Sequence, residues 1–336
     1  MRNTKKNSRK LVRAAQRGNV VKMQGHLEEI LRISGSGNWW GPDRILWTAF
    51  TAAVRNDCVD CAVAFAMRFE DAGLAVGCFF STTDGASHVC SAFVAAVLYG
   101  AFHTATALMH VFDTTKCTSM MKTLYFASVD RSVVLTNVLC MTLWYAPRQT
   151  TQFAAVRFLT NLKADVNLRW RGGDNCRRSP LEMVLLQASK EIRDEGHRYL
   201  ACAFRMLQLL IRSRASVDEH DADRKSGDPS PLRMLVDEHG RHVQTLKTHD
   251  DQIRDKQIRD NQIRDKQIRG NQIRDNQIQD ILLRQRRAAV DAFLLNATRV
   301  VIFAKADPNA ADKSGRTAID CAAEHQDDAI LAILRT

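Results

Sequence analysis

Apolar residues along this chain recur mostly at the three-to-four-residue spacing of helices, and runs that alternate apolar with polar positions are scarce. Three stretches share one grammar. VRFLTNLKADVN closes at Asn167, MLQLLIRSRASVD at Asp218 and RVVIFAKADPN at Asn309. Each reads as an amphipathic helix, a basic exit, then Ala, Asp or Ser, any residue, and Asn or Asp. The helix starts after them are equally regular: SPLEMVLLQ from Ser179, SPLRMLVDE from Ser230 and RTAIDCAAE from Arg316. The Ser or Thr predicts an N-cap, whose side-chain oxygen accepts a backbone N–H that the first helical turn cannot pair. Pro in first position has no such N–H to lose. Twelve residues separate Asn167 from Ser179 and Asp218 from Ser230, against eight from Asn309 to Thr317. The predicted unit is helix, helix, polar loop, next helix.

The first half repeats this unit by shape. Residues 11–15 run into Arg17-Gly18-Asn19-Val20, residues 52–56 into Asp57-Cys58-Val59, and residues 95–100 into a helix through Leu108. Each looks like the end of a first helix and the start of a second. The spacing predicts first-helix starts near Thr48, Ser91, Thr136, Ser179 and Ser230, which lie 43, 45, 43 and 51 residues apart.

Residues 305–334 carry Lys305-Ala306-Asp307-Pro308-Asn309, then Asp312-Lys313-Ser314-Gly315-Arg316-Thr317-Ala318, then Ala322-Ala323. This resembles the ankyrin repeat, whose unit is a turn-capped Thr-Pro-Leu helix, a second helix, and a Gly-Ala-Asp-x-Asn exit into a projecting hairpin. The match is strong at 305–334, good at 156–181 and moderate at 206–232; elsewhere it rests on spacing, with intervals longer than the family's roughly 33 residues. The resemblance implies an all-α, ankyrin-like helical repeat solenoid of about seven helix pairs, stacked because one pair cannot bury its apolar face alone. It also implies a non-enzymatic scaffold that binds a protein partner through inter-repeat loops and the adjoining helix face. In this chain those loops carry Arg169, Trp170, Arg171, Arg177 and Arg178, then Asp221, Arg224 and Lys225, then Lys313 and Arg316. Trp and Arg are the residue types most enriched at interface hot spots. Trp39-Trp40 is a second aromatic feature of interest.

One segment breaks the pattern. In residues 252–280, Gln recurs at 252, 257, 262, 267, 272 and 277, each time with Ile next to it. Five residues rotate a helix by about 500°, so successive Ile side chains spiral around it and form no apolar stripe. Acid-to-Arg pairs at i,i+4, such as Asp255 with Arg259 and Asp260 with Arg264, support a solvated single helix, and a disordered loop accommodates the tract equally well. Its place is more informative: it falls between a first and a second helix, so it expands the turn inside one repeat. Loop-closure entropy grows slowly with length, so the fold tolerates this. The expected organisation is a basic N-terminal arm at 1–10, ankyrin-like repeats at 11–246, the pentapeptide insertion at 247–288 and C-terminal repeats at 289–336.

Charge sharpens the picture at one end. The net charge is +11, and residues 1–44 hold ten basic against three acidic residues, led by Arg2, Lys5, Lys6, Arg9, Lys10 and Arg13. A basic arm of this kind supports an alternative function, association with nucleic acid. Nine cysteines without regular spacing argue for reduced thiols in the cytoplasm or nucleus rather than a disulfide framework. Residues 91–112 carry no formal charge and are long enough to span a bilayer; Gly100, His103 and His110 read them instead as two buried helices with a turn at Tyr99-Gly100. No membrane association is expected, and a monomer is.

Candidate chemistry is sparse. Cys58-Val-Asp-Cys61 together with His88 and Cys90 makes a four-ligand zinc set by type, but 26 residues lie between the pairs and neither has glycine-turn context. The repeat register puts Cys58 and Cys61 at the start of a second helix, facing the core. His220-Asp221-Ala222-Asp223 falls at a predicted loop tip, and the sequon Asn296-Ala297-Thr298 falls in a helix. There is no glycine-rich phosphate loop, Gly-x-Ser-x-Gly or HExxH. No catalytic residue, metal or cofactor is expected.

Overall fold

The computed structural model describes residues 2–34, 42–71, 78–81, 87–90, 92–115, 131–145, 150–171, 177–194, 199–217, 230–245, 248, 270–311 and 315–336. They fall into two compact units, Met1–Leu168 and Arg169–Thr336.

In the first unit the helices come in pairs: α1 (Arg2–Gln16) with α2 (Val20–Ser34), α3 (Pro42–Arg55) with α4 (Val59–Asp71), α5 (Ala92–Tyr99) with α6 (Phe102–Thr115), and α7 (Arg131–Tyr145) with α8 (Thr150–Asn161). First helices pack on first helices, α1 on α3, α3 on α5 and α5 on α7; α2 packs on α4 and α4 on α6. The core is therefore one continuous layer between the two rows. Leu11, Met23, Leu27, Leu46, Phe50, Phe65, Phe93 and Leu108 are completely or almost completely buried in it. The uncharged stretch 91–112 is two helices, with α5 buried from Ala92 to Leu98 and the chain reversing at Gly100. No described helix is long and apolar enough to cross a membrane. A hairpin of β1 (Cys78–Ser81) and β2 (Ser87–Cys90) occupies the loop before α5.

The second unit pairs α9 (Pro180–Arg193) with α10 (Leu200–Arg212), then a helix at 231–245 (α11) with α12 (Gly270–Phe303), then α13 (Ala318–Glu324) with α14 (Asp328–Leu334). Second helices stack again, α10 on α12 and α12 on α14. Apart from two loop hairpins, all regular structure among the described residues is helical: the chain is an all-α helical-repeat protein.

One local device makes both kinds of chain reversal. Within a pair, the helix ends on a residue with left-handed backbone: Gly18 (φ 66°), Asp57 (φ 52°), Gly100 (φ 76°) and Gln326 (φ 54°). Between pairs the same role falls to Lys163 (φ 69°), Arg214 (φ 66°) and Lys305 (φ 67°). At each, that residue's N–H and the next one's return to carbonyls of the last turn. Lys163 bonds Thr160 at 3.0 Å and Ala164 bonds Leu159 at 3.0 Å; Asp57 bonds Val54 and Cys58 bonds Ala53, both at 3.0 Å. These are Schellman caps, which consume the orphan carbonyls of a helix end. They explain the sequence grammar. The basic exit is the left-handed residue, and the Ala next to it is tucked in, with Ala164, Ala215 and Ala306 all buried. The Asp then closes a small turn: Asp165 Oδ1 accepts from Asn167 N, and Asp307 Oδ1 from Asn309 N, each at 2.8 Å.

Three expectations change. The helices expected near Thr48 and Thr136 begin earlier, at Pro42 and Arg131. Pro42 is itself a first-turn residue with no N–H to lose, and Thr136 is fully buried one turn into α7, where its Oγ1 accepts from Asp165 N at 2.8 Å. Residues 2–10, expected as a separate arm, are the first turns of α1, and Ser8 in them is buried. The helix continues because nothing in Arg2–Gln16 breaks it: the segment has no Gly or Pro and ends in Ala-rich sequence. Of the pentad tract, residues 270–280 form the start of α12, and residues 249–269 lie outside the described ones.

Candidate functional site: a basic hairpin at the base of α9

The chain after Asn167 runs through Leu168 and Arg169 into β3 (Trp170–Arg171), and returns through β4 (Arg177–Arg178) to Ser179. The strands are antiparallel, with Trp170 opposite Arg178 and Arg171 opposite Arg177. Residues 172–176, Gly-Gly-Asp-Asn-Cys, lie outside the described residues.

The base of this hairpin is locked to α9. Ser179 Oγ accepts from Glu182 N at 3.3 Å, and Glu182 Oε2 accepts from Ser179 N at 2.8 Å, a reciprocal capping box. Glu182 Oε1 takes a third bond, from the Arg169 guanidinium at 3.3 Å. The two side chains are only 12% and 6% exposed, so this ion pair is largely desolvated. Arg169, expected as a contact residue, is thus committed to holding the hairpin. Trp170 and Arg178 are half-buried on the hairpin's described part.

The last repeat has the same base. Thr317 and Asp320 form a capping box, with Asp320 N donating to Thr317 Oγ1 at 3.1 Å and Thr317 N to Asp320 Oδ2 at 2.8 Å. Arg316 precedes Thr317 as Arg178 precedes Ser179. It is exposed and 3.6 Å from Glu324. Asp221, Arg224, Lys225 and Lys313 lie outside the described residues, as do Trp39-Trp40 and His220-Asp221-Ala222-Asp223. The hairpin therefore gathers five of the expected contact residues and fixes one of them as a brace.

The cysteine pair sits as packing. Cys61 is fully buried, and burial, helped by Cys58 and Asp60, pushes its thiol up to about 11. Cys58 is half-buried against the turn of the preceding pair, where a Cβ on Gly18 would stand 3.5 Å from its sulfur. His88 and Cys90 lie on β2, whose side chains are not among the described ones.

The sequence reading missed a buried polar cluster on α11. His239 is buried and Nδ1 bonds Asp327, which also N-caps α14 by accepting from Ile330 N at 3.1 Å. Burial pushes the Asp327 carboxyl up, but bonds from His239, Ile330 and Ala329 outweigh it and hold the carboxyl below its ordinary value. Gly240 is required here, because a Cβ would stand 2.1 Å from the His325 ring. Glu238 is buried beside Arg241, with Nη2 at 2.9 Å. The legible signal was DEHGRH at 237–242: six residues with two acids, two His and an Arg, directly after the apolar run Met234-Leu235-Val236.

No protein-family model matches the sequence, and no curated protein matches it. Among solved structures, the crystal structure of the human ASB11 ankyrin repeat domain is similar at 12% sequence identity and a TM-score of 0.42, over 97% of this chain and 96% of that one.

Proposed function

We propose that this chain is a non-enzymatic scaffold that binds an acidic surface of a partner protein through the β3–β4 hairpin and the adjoining loops. The observation that carries this reading is the braced hairpin itself. Arg169 and Glu182 make its base rigid, so the ordering cost falls before binding rather than during it. Its two strands carry Trp170, Arg171, Arg177 and Arg178 in sequence, the residue types most enriched at interface hot spots. Arg316 repeats the position of Arg178 at the base of α13 and extends the contact set. The reading assigns no catalytic residue and no cofactor, and it takes the protein as a monomer of the cytoplasm or nucleus. Proximity labelling from the intact chain identifies the partner. Arg171→Glu with Arg177→Glu then weakens it at least about tenfold, and an unchanged affinity removes the hairpin from the interface.

A second reading is supported by α1. Its 15 residues include Arg2, Lys5, Lys6, Arg9, Lys10 and Arg13 and no acid, and Arg9, Lys10 and Arg13 are exposed. Nucleic acid bound there loses affinity linearly in the logarithm of salt, with a slope set by the phosphates neutralised. A partner held by the hairpin shows a much shallower slope, and α1 charge removal leaves it in place.

A further inference from the structure

We propose that the groove between the C-terminal part of α12 and α14 seats a short amphipathic helix of a partner protein, apolar on one face and acidic on its flank. The groove encloses about 770 Å³ and lies within the second unit. From α12 it takes Leu295, Arg299, Ile302 and Phe303, and from α14 Ala329, Ala332, Ile333 and Thr336. Both sets follow helical spacing: i, i+4, i+7 and i+8 on α12, and i, i+3, i+4 and i+7 on α14. Each is the kind of stripe that a helix turns toward a neighbour.

α12 has its core face elsewhere. Val290, Phe293, Leu294, Ala297 and Val301 are buried on that face. At about 100° per residue, the groove stripe stands on the opposite side of the helix. A helix with apolar residues on both sides is suited to being covered on both. The groove side is open: Phe303 is 91% exposed, and Ala329 and Ala332 are exposed as well. An open apolar trough with an aromatic at its edge is the form of an interaction surface. At 1.5 Å per residue the stripes run about 12 Å on α12 and about 10 Å on α14, some two helical turns. That length matches the anchors, at i, i+4 and i+7, with which a helix docks in a groove. Ala329 and Ala332 keep one wall low, so a ligand backbone can come close.

Charge selects the kind of helix. Arg299 is the one charged residue of the described lining; it is exposed and forms no ion pair with another described residue. Arg335 and Lys305, just past the ends of α14 and α12, are exposed too, and Asp328 stands at the other end of α14. A carboxylate on the ligand helix therefore finds a partner at Arg299, and a Lys there meets a like charge. A second copy of this chain is a poorer occupant, because a two-fold contact sets the same patch against itself and brings Arg299 from both sides. The site uses α12 and α14 alone, so it does not rest on the role given to the hairpin.

Two lactam-bridged helical peptides, whose ordering cost is met before binding, test this on the full chain by fluorescence polarisation at about 0.15 M salt. Both carry Leu at i, i+4 and i+7; one has Glu at the flanking positions and the other Lys. The Glu peptide should bind one-to-one with Kd below about 0.1 mM, at least about threefold tighter than the Lys peptide. Arg299→Glu should reverse that preference. Ala332→Arg, which fills an exposed part of the trough, should weaken the Glu peptide at least about tenfold. Val21→Ser, at an exposed apolar position of the first unit, should leave it within about twofold. If Ala332→Arg lowers helical circular dichroism, Phe303→Ser takes its place, with a loss of at least about threefold expected. No binding of the Glu peptide, or binding that survives these variants, overturns the proposal. A preference unmoved by Arg299→Glu overturns the acidic partner. Self-association in sedimentation velocity that Ala332→Arg abolishes overturns the partner assignment and gives the groove to a second copy.

Discussion

Lys163, Arg214 and Lys305 stand where a helix exit wants glycine, and each holds a left-handed backbone that costs an L-residue roughly 1–2 kcal/mol. Lys163→Gly should therefore raise stability by about 0.5–1 kcal/mol in urea unfolding, after glycine's own entropic cost is deducted. A loss would show that the Lys side chain contributes more than its backbone costs. Asp327 sets the other residue-scale expectation. Its carboxyl is held below its ordinary value in the folded chain, so the stability it supplies is present above the unfolded value near 4 and is lost as pH falls through the lower folded value. Asp57 acts in the same direction: burial raises it, but bonds from His103 at 2.8 Å and Thr104 N at 2.9 Å prevail. Asp327→Asn keeps an N-cap side chain but loses the charged bond to His239, at a cost of about 1.5–3 kcal/mol near pH 6. The gap between variant and wild type should close below pH 4, measured as urea midpoints; a gap independent of pH would contradict it.

At the scale of elements, two capping boxes look alike in sequence and differ in consequence. Ser179→Ala and Thr317→Ala should each cost about 1 kcal/mol. Glu182→Gln should cost about 2–4 kcal/mol, because it also leaves the nearly buried Arg169 guanidinium without its carboxylate. Thermal unfolding of the three variants decides this, and equal losses would mean the Arg169–Glu182 pair braces nothing. The caps also show what the chain discloses. Ser179, Ser230 and Thr317 start helices as read, and Ala-Asp-x-Asn is a helix end whose every residue has a local job, so both were legible. Local rules end there. Thr48 and Thr136 resemble caps but sit inside helices, Thr136 with its hydroxyl spent on Asp165 N some thirty positions on. Arg169 looked like a contact residue because nothing in its neighbours reveals that Glu182 reaches back to it. His239 and Asp327 are joined only by stacking, which no window of sequence contains.

At the scale of the whole molecule, the insertion and the proposed partner surface join the helices at different points of the chain. The pentad tract follows the C-terminal end of α11 in sequence and runs into the start of α12, whereas the β3–β4 hairpin enters α9 at its N-terminus. Deleting residues 252–280 should leave partner affinity within about threefold, or under ~0.7 kcal/mol. Partner affinity across single substitutions at Trp170 tests the central claim most directly. With the partner identified from the intact chain, Trp170→Ala should weaken it by about 1–2 kcal/mol, about five- to thirtyfold, while helical content and the unfolding midpoint stay close to wild type. An affinity unchanged by Trp170→Ala, and abolished instead by deleting residues 252–280, would contradict the assignment of the binding surface to the braced hairpin.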